Sequence, residues 1–221
     1  MDVYIDLLQE SIPLLLEGLG LTMELSVISL ILAMVIGLLC CLMNISHNVV
    51  LRTISQWYIN IIRGTPLLVQ AFFIYFGVTG VLGVSMSAFT AGVIALCLNA
   101  GGYLSEIFRG GIQAVPKGQM EAGRSLGLSK AKTMWKIIIP QAVRICIPSV
   151  VNQCCITIKD TSIISVIGLS ELTMAGKIII ARTYQSFAVW IFVGVIYFVV
   201  IYLITKLAKV LERKLSLDDK S

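Results

Sequence analysis

Residues 121–140 read EAGRSLGLSKAKTMWKIIIP, a stretch set between long apolar segments. It carries Glu121, Arg124, Lys130, Lys132 and Lys136. A single charge at the centre of a bilayer costs roughly 2.5–3.5 kcal/mol on the insertion scale, so this stretch belongs in water. It has the makings of local structure there. Residues 121–126 suit a short helix. Gly127 suits a turn or a helix end, because glycine reaches positive φ without a steric penalty. Ser129 is the predicted N-cap of a second helix running towards Pro140. In that helix Met134, Trp135, Ile137 and Ile138 are apolar while Lys130, Lys132 and Lys136 are basic, a pattern suited to a membrane surface. The expectation is a helix–glycine–helix loop held against one face of a bilayer and open to a partner.

Composition supports the bilayer. Of 221 residues, 57% are hydrophobic and 13% charged, and mean hydropathy is +0.93. Soluble domains carry about a quarter charged residues. The expected class is an all-α polytopic membrane protein, since helices satisfy their own backbone groups in hydrocarbon. Cys40, Cys41, Cys97, Cys146, Cys154 and Cys155 all lie in apolar segments and read as small hydrophobes rather than a disulfide framework. His47 is the one histidine, so no metal site is expected. The first ten residues hold Asp2, Asp6 and Glu10 and no Lys or Arg, the opposite of a cleavable leader, so the first apolar segment is expected to stay as an anchor.

Five spans are predicted. Residues 1–17 read as an amphipathic lead-in, with Pro13 in a first helical turn, and 18–43 as the first span, with Glu24 near one end. Residues 44–62 mix His47, Asn48, Arg52, Gln56, Trp57 and Tyr58 with apolar residues, an interfacial approach to the second span. That span, 67–84, has Gln70 as its one strongly polar residue, and a loop is expected over 77–87. The third, 88–104, holds Asn99 beside Gly101 and Gly102, small residues that let helices approach. The fourth, 145–158, carries Pro148, Asn152 and Gln153. It is expected to break at Lys159-Asp160-Thr161-Ser162 before a second apolar piece, 163–169. Residues 168–186 are predicted as an outer loop with Glu171, Lys177 and Arg182, and 187–205 as the fifth span.

Lys and Arg orient these spans. Residues 44–66 hold two, 105–144 seven, the tail from 206 five, and the region after the fourth span three. Placing the first three groups in the cytoplasm puts fourteen inside and three outside, with the N-terminus out and the C-terminus in. The net charge of +5 thus follows topology and carries no nucleic-acid signal. Without an internal repeat or linker, residues 1–221 are read as one domain.

The loop resembles the EAA motif of ABC importer permeases: E-A-A, three residues, G, nine residues, I-x-L-P. Here it is Glu121-Ala122-Gly123, then Gly127, then Ile137-x-Ile139-Pro140, with Gly123 in place of the second alanine and Ile139 in place of the leucine. Residues 63–70, RGTPLLVQ, resemble the matching stretch of polar amino acid permeases of the histidine/glutamine group. So do residues 103–112, YLSEIFRGGI, running on to Lys117-Gly118-Gln119. Lys159-Asp160-Thr161-Ser162, leading to residues 167–172 (IGLSEL), is a further match. The resemblance covers roughly residues 14–210.

The resemblance implies a type I importer permease of the five-helix kind in a bacterial cytoplasmic membrane. Its implied partners are ABC ATPase subunits, a second permease subunit (identical or homologous) and an extracellular or periplasmic amino-acid-binding protein. ATP and magnesium would belong to the ATPase, since no G-x-x-x-x-G-K-[ST] occurs here and Gly176-Lys177 runs on to Ile178. No HExxH or GxSxG supports catalysis, so no catalytic residue and no cofactor are assigned to this chain. The coupling loop, about 116–140, would dock on the ATPase through Glu121, Ala122, Gly123, Ser125, Leu126 and Gly127. A zwitterionic amino acid needs acceptors for its ammonium and donors for its carboxylate. Glu106 and Asp160 are candidate acceptors; Asn99, Gln153 and Thr161 are candidate donors or bridges. Each has a plainer reading: Asn99 and Gln153 as helix–helix hydrogen bonds, Asp160 as the partner of Lys159, Arg63 as an anchor at the membrane face. Other cargo, such as cystine or an opine, and a non-transporting scaffold for an ATPase are the alternatives.

Overall fold

The computed structural model describes residues 2–217, with side chains described from 10 to 210. Eight helices follow in chain order: α1 (Asp2–Asn44), α2 (Val49–Gly64), α3 (Leu67–Leu82), α4 (Ala88–Ala114), α5 (Lys117–Ser125), α6 (Lys130–Ile167), α7 (Leu172–Thr183) and α8 (Ser186–Leu217). Four of them, α1, α4, α6 and α8, are long and apolar enough to cross a membrane. Helices α2 and α3 are bent by 106° at their junction and together would supply a fifth crossing. The predicted all-α architecture therefore holds among the described residues, with four or five candidate membrane spans.

Contacts between helices give their directions. Leu25 meets Gly92, and Gly37 meets Leu104, so α1 and α4 run the same way. Gly92 meets Ile164 and Gly111 meets Cys146, so α6 runs against α4. Cys155 lies by Thr205 at 3.7 Å, and Thr161 by Tyr197, so α8 runs against α6. The C-terminal ends of α1, α4 and α8 thus gather at one end with the start of α6, where Lys130 Nζ lies 3.4 Å from His47 Nε2. Most of the Lys and Arg lie at this end, which is called the basic end below. The tight pairing of α1 with α4 depends on small residues: a Cβ at Gly37 would lie 2.8 Å from Leu104 Cβ, and one at Gly101 2.9 Å from Ile36 Cγ2.

Five sequence expectations need correction. Pro13 lies inside α1 rather than in a first turn, so the lead-in is continuous with the span. The loop expected over 77–87 is helical to Leu82, with a wide π-turn over Phe73–Val78, and turns at Gly83 (φ 65°). In hydrocarbon each backbone group must be bonded locally, and this outweighs the loop-like small residues there. The break expected at 159–162 is absent. The Thr161 hydroxyl donates to Ile158 O and the Ser162 hydroxyl to Lys159 O, each at 2.7 Å, so these residues are satisfied within the helix. Helix α6 also passes through Pro140. A π-turn over Met134–Ile138 precedes the proline and accommodates its missing N–H. Finally, 168–186 is no open loop. Within it, α7 packs on α1 and α8 through Leu15, Leu172, Ala175, Ile179 and Val189.

Candidate functional site

The loop at the basic end folds as a helix, a glycine turn and a helix. Helix α5 ends in two hydrogen bonds that define a Schellman turn: Leu128 N–H donates to Gly123 O at 3.1 Å, and Gly127 N–H to Arg124 O at 3.0 Å. Gly127 holds φ at 81°, a left-handed conformation that an L side chain resists. Arg124 Nη1 closes the turn on Leu128 O at 3.1 Å. Ser129 caps α6 as predicted, accepting from Lys132 N at 3.3 Å. Gly123 is buried because α6 folds back on α5: a Cβ there would lie 2.5 Å from Thr133 Cγ2. The departure from the motif at position 123 is thus matched by a buried Thr133. Glu121, Ala122, Ser125, Leu126 and Gly127 are exposed, and Leu126 shows 81% of its surface.

The second motif, RGTPLLVQ, forms the bent joint between α2 and α3. Pro66 ends α2 and leaves its last carbonyls without helical donors. The Thr65 hydroxyl donates to Ile61 O at 2.8 Å. Gln70 Nε2 donates to Ile62 O at 2.8 Å, to Thr65 Oγ1 at 2.8 Å and to Thr65 O at 3.1 Å. Gln70 Oε1 in turn accepts from Asn99 Nδ2 at 3.0 Å, tying the joint to α4. Asn99 is 7% exposed, and the bond it makes is the helix–helix link of its plainer reading.

Glu106 lies at the basic end. Both its oxygens are taken by Arg109, from Nε at 2.9 Å and from Nη2 at 2.6 Å. Arg109 Nη1 also donates to Gln113 Oε1 at 3.0 Å. Arg63 Nη1 stands 3.4 Å from Glu106 Oε2, and its guanidinium lies over the Tyr103 ring at 5.4 Å. These groups border a recess of about 650 Å³. Its walls are two helical stripes, Gln56, Asn60 and Arg63 on α2 and Glu106, Arg109 and Gln113 on α4. The spacing of Glu106 and Arg109, three apart, is a pairing signal in the sequence; the approach of Arg63 from α2 is not.

The other three candidates sit on α6. Gln153 and Thr161 are buried along one face with Thr157, and Gln153 Nε2 reaches Thr157 Oγ1 at 3.5 Å. The antiparallel register places Asn99 at the level of Thr157. Asp160 is half-buried and has no hydrogen bond or ion pair among the described residues, while Lys159 points into an exposed position. The two do not close an ion pair. Glu106 lies about two turns of α4 from Asn99, so the five candidates do not converge on one point.

Sequence reasoning took Glu171 for a residue of a water-facing loop. It is fully buried, and its Oε1 caps α7 by accepting from Met174 N at 2.9 Å. Its Oε2 accepts from the Tyr197 hydroxyl at 3.0 Å. Burial pushes its carboxyl pKa up, against the pull of the Thr173 and Met174 N–H groups and the Tyr197 hydroxyl. The only local signal was a carboxylate directly before a possible first helical turn, at the capping position.

Residues 29–217 match the family model described as binding-protein-dependent transport system inner membrane component. A putative glutamine transport system permease protein of Rickettsia typhi is 39% identical over 201 residues, covering 91% of this chain and 92% of the relative. An arginine transport system permease protein of Bacillus subtilis is 38% identical over 208 residues, 94% of this chain and 95% of its own length. The glutamine transport system permease protein of Escherichia coli matches with the same identity and coverage. Among solved structures, an amino acid ABC transporter crystallised with histidines superposes with a TM-score of 0.90 at 40% identity, over 94% of this chain and 96% of that one. An inward-facing MetNI methionine ABC transporter shares the fold, with a TM-score of 0.78 at 20% identity.

Proposed function

This chain belongs to the binding-protein-dependent transport system inner membrane components, and from that premise we propose that it is the permease subunit of an ATP-driven importer for polar amino acids. The observation that carries the reading is the exposed α5–Gly127 turn at the basic end, in a chain 38–40% identical to amino acid permeases along most of its length. The basic end faces the cytoplasm, following the distribution of Lys and Arg in a bacterial cytoplasmic membrane. There Glu121, Ala122, Ser125, Leu126 and Gly127 dock on a separate ABC ATPase, which binds ATP and magnesium, while the buried Gly123 backs the turn from inside. A second permease subunit, identical or homologous, completes the path. A binding protein delivers cargo at the opposite end.

The chain itself carries out no bond chemistry. Its work is to move polar groups past one another in a low-dielectric setting, where an unpaired charge is costly. Asp160 is the acceptor best placed to meet a substrate ammonium, because it lies at membrane depth without a partner of its own. Asn99, Gln153 and Thr161 line the way at neighbouring levels. Glu106 would take part where its pairing with Arg63 loosens. Closure of two ATPases presses on α5, and the turn passes that displacement to α6 through Gly123 and Thr133.

The test is ATP-dependent uptake in proteoliposomes holding this chain, its co-purifying ATPase and its binding protein, offered labelled glutamine, arginine and histidine. Uptake of one class, lost on Asp160→Ala while the ATPase stays bound, supports the reading. A stable assembly that hydrolyses ATP and takes up none of them overturns the cargo assignment.

A further inference from the structure

We propose that the recess at the basic end is a second station on the inward path, where the carboxylate of an amino acid is held by Arg63. This inference rests on the importer reading above. Its own grounds are the charge and bonding of the recess. Arg63, Arg109 and Glu106 leave one positive charge in surplus. Arg109 is committed, with its fork spent on both oxygens of Glu106 and on Gln113. Arg63 is not. Its closest acceptor is a single Glu106 oxygen at 3.4 Å, and it makes no hydrogen bond among the described residues. A guanidinium that lies over an aromatic ring and whose fork holds only one loose ion-pair contact matches the planar, bidentate geometry of a carboxylate.

The neighbouring groups complete the fit for a zwitterion. Asn44, Gln56 and Asn60 border the recess, and their side-chain amides make no hydrogen bond across it among the described residues. Amide oxygens can accept an ammonium without adding charge, and amide N–H groups can share the carboxylate. A single surplus cation suits a monoanion better than a phosphate, which draws several basic groups. The volume, about 650 Å³, admits any single amino acid. Asn60 and Arg63 project from α2, and Gln70 anchors the end of that helix, so the station sits beside the bent joint. Movement of the joint would open or close the gap between Arg63 and Glu106.

The experiment is equilibrium binding of labelled glutamine and labelled arginine to the purified permease–ATPase complex in nanodiscs, without binding protein and without ATP. Arg63→Gln is expected to weaken binding by about tenfold or more, and Arg63→Lys by about three- to tenfold, because the cation is kept but the fork is lost. Asn60→Leu, at an exposed position without a hydrogen bond, should weaken binding about threefold and leave the melting temperature unchanged. Acetate should compete, and the α-carboxamide analogue of glutamine should not. The station is overturned if the wild-type complex binds neither amino acid. It is equally overturned if both Arg63→Gln and Asn60→Leu bind as tightly as wild type, or if the carboxamide competes as well as glutamine. Uptake by wild-type proteoliposomes separates the two readings. Intact uptake with any of these results removes the station alone, whereas absent uptake overturns the amino acid cargo of the importer reading whatever acetate does.

Discussion

At the scale of single residues, two glycines of the α5–α6 turn are fixed by different physics, and the difference can be measured. Gly127 meets nothing within 4 Å, so its constraint is backbone conformation alone. Gly127→Val places a β-branched residue at φ 81°, a penalty of about 1–2 kcal/mol, while Gly127→Asn tolerates that region. In proteoliposomes the valine variant should keep ATP hydrolysis and lose most uptake, and the asparagine variant should keep both; equal uptake by all three would count against α5 as the transmitting element. Gly123 is constrained by space. Gly123→Ala drives a methyl against Thr133 and should cost about 1–3 kcal/mol. Pairing it with Thr133→Ala vacates that volume and should restore most of the melting temperature. Failure of the double variant to recover would mean that Gly123 answers to something other than Thr133. The glycine turn was legible in the sequence, since 121–140 places its charges and its one candidate turn residue in order. The replacement at 123 was not, because its reason is a threonine ten residues on that folds back across the turn.

At the scale of elements, the joint between α2 and α3 sets two readings of Asn99 against each other. As a helix–helix link its worth is shared with Gln70. Interhelical hydrogen bonds of this sort average about 0.6 kcal/mol in membrane proteins, with a ceiling near 1.7. A double-mutant cycle of Asn99→Leu and Gln70→Leu, read by thermal unfolding of the purified complex, should show a coupling of about that size. Gln70→Leu alone should be the more damaging, at about 1–2 kcal/mol, because it also strips donors from Ile62 O and Thr65 O. An unchanged KM for uptake with measurable coupling would assign Asn99 to the joint; a raised KM with no coupling would return it to the substrate path. The same joint shows where sequence reading stops. The interfacial approach over 44–62 was legible, yet that one glutamine serves as cap for α2 and tether to α4 depends on a contact 29 residues away in sequence. Glu171 failed for a related reason. Charge suggested water, and a burial site supplied by α1 and α8, which pack around it, was invisible from the segment alone. Conversely, Lys159-Asp160-Thr161-Ser162 read as a break in α6 because polar residues interrupt the apolar run there, but the Thr161 and Ser162 hydroxyls each find a carbonyl three residues back.

At the scale of the whole molecule, the contacts fix which ends lie together, and the proposed sidedness rests on the Lys and Arg distribution. Helices α1, α4 and α8 run one way and α6 the other, so the turn at Leu126 and the turn at Tyr184 lie at opposite ends of the bundle. Both residues are exposed, at 81% and 88%. With the six native cysteines replaced by alanine, a single cysteine at each position becomes a reporter of sidedness. In intact cells a membrane-impermeant maleimide should label Tyr184→Cys and leave Leu126→Cys unlabelled; permeabilised cells should label both. The reverse pattern would invert the molecule and place the α5 turn where no ATP is found, which removes the importer reading entire. Labelling of both from outside would mean that α6 does not cross the membrane, since it is the one long apolar helix between the two positions. The expected pattern also bears on the recess. It lies at the end of Leu126, so an amino acid held by Arg63 has already passed the level of Asn99 and Thr157. A ligand there is cargo near release rather than cargo on arrival, and its affinity sets how readily the product leaves.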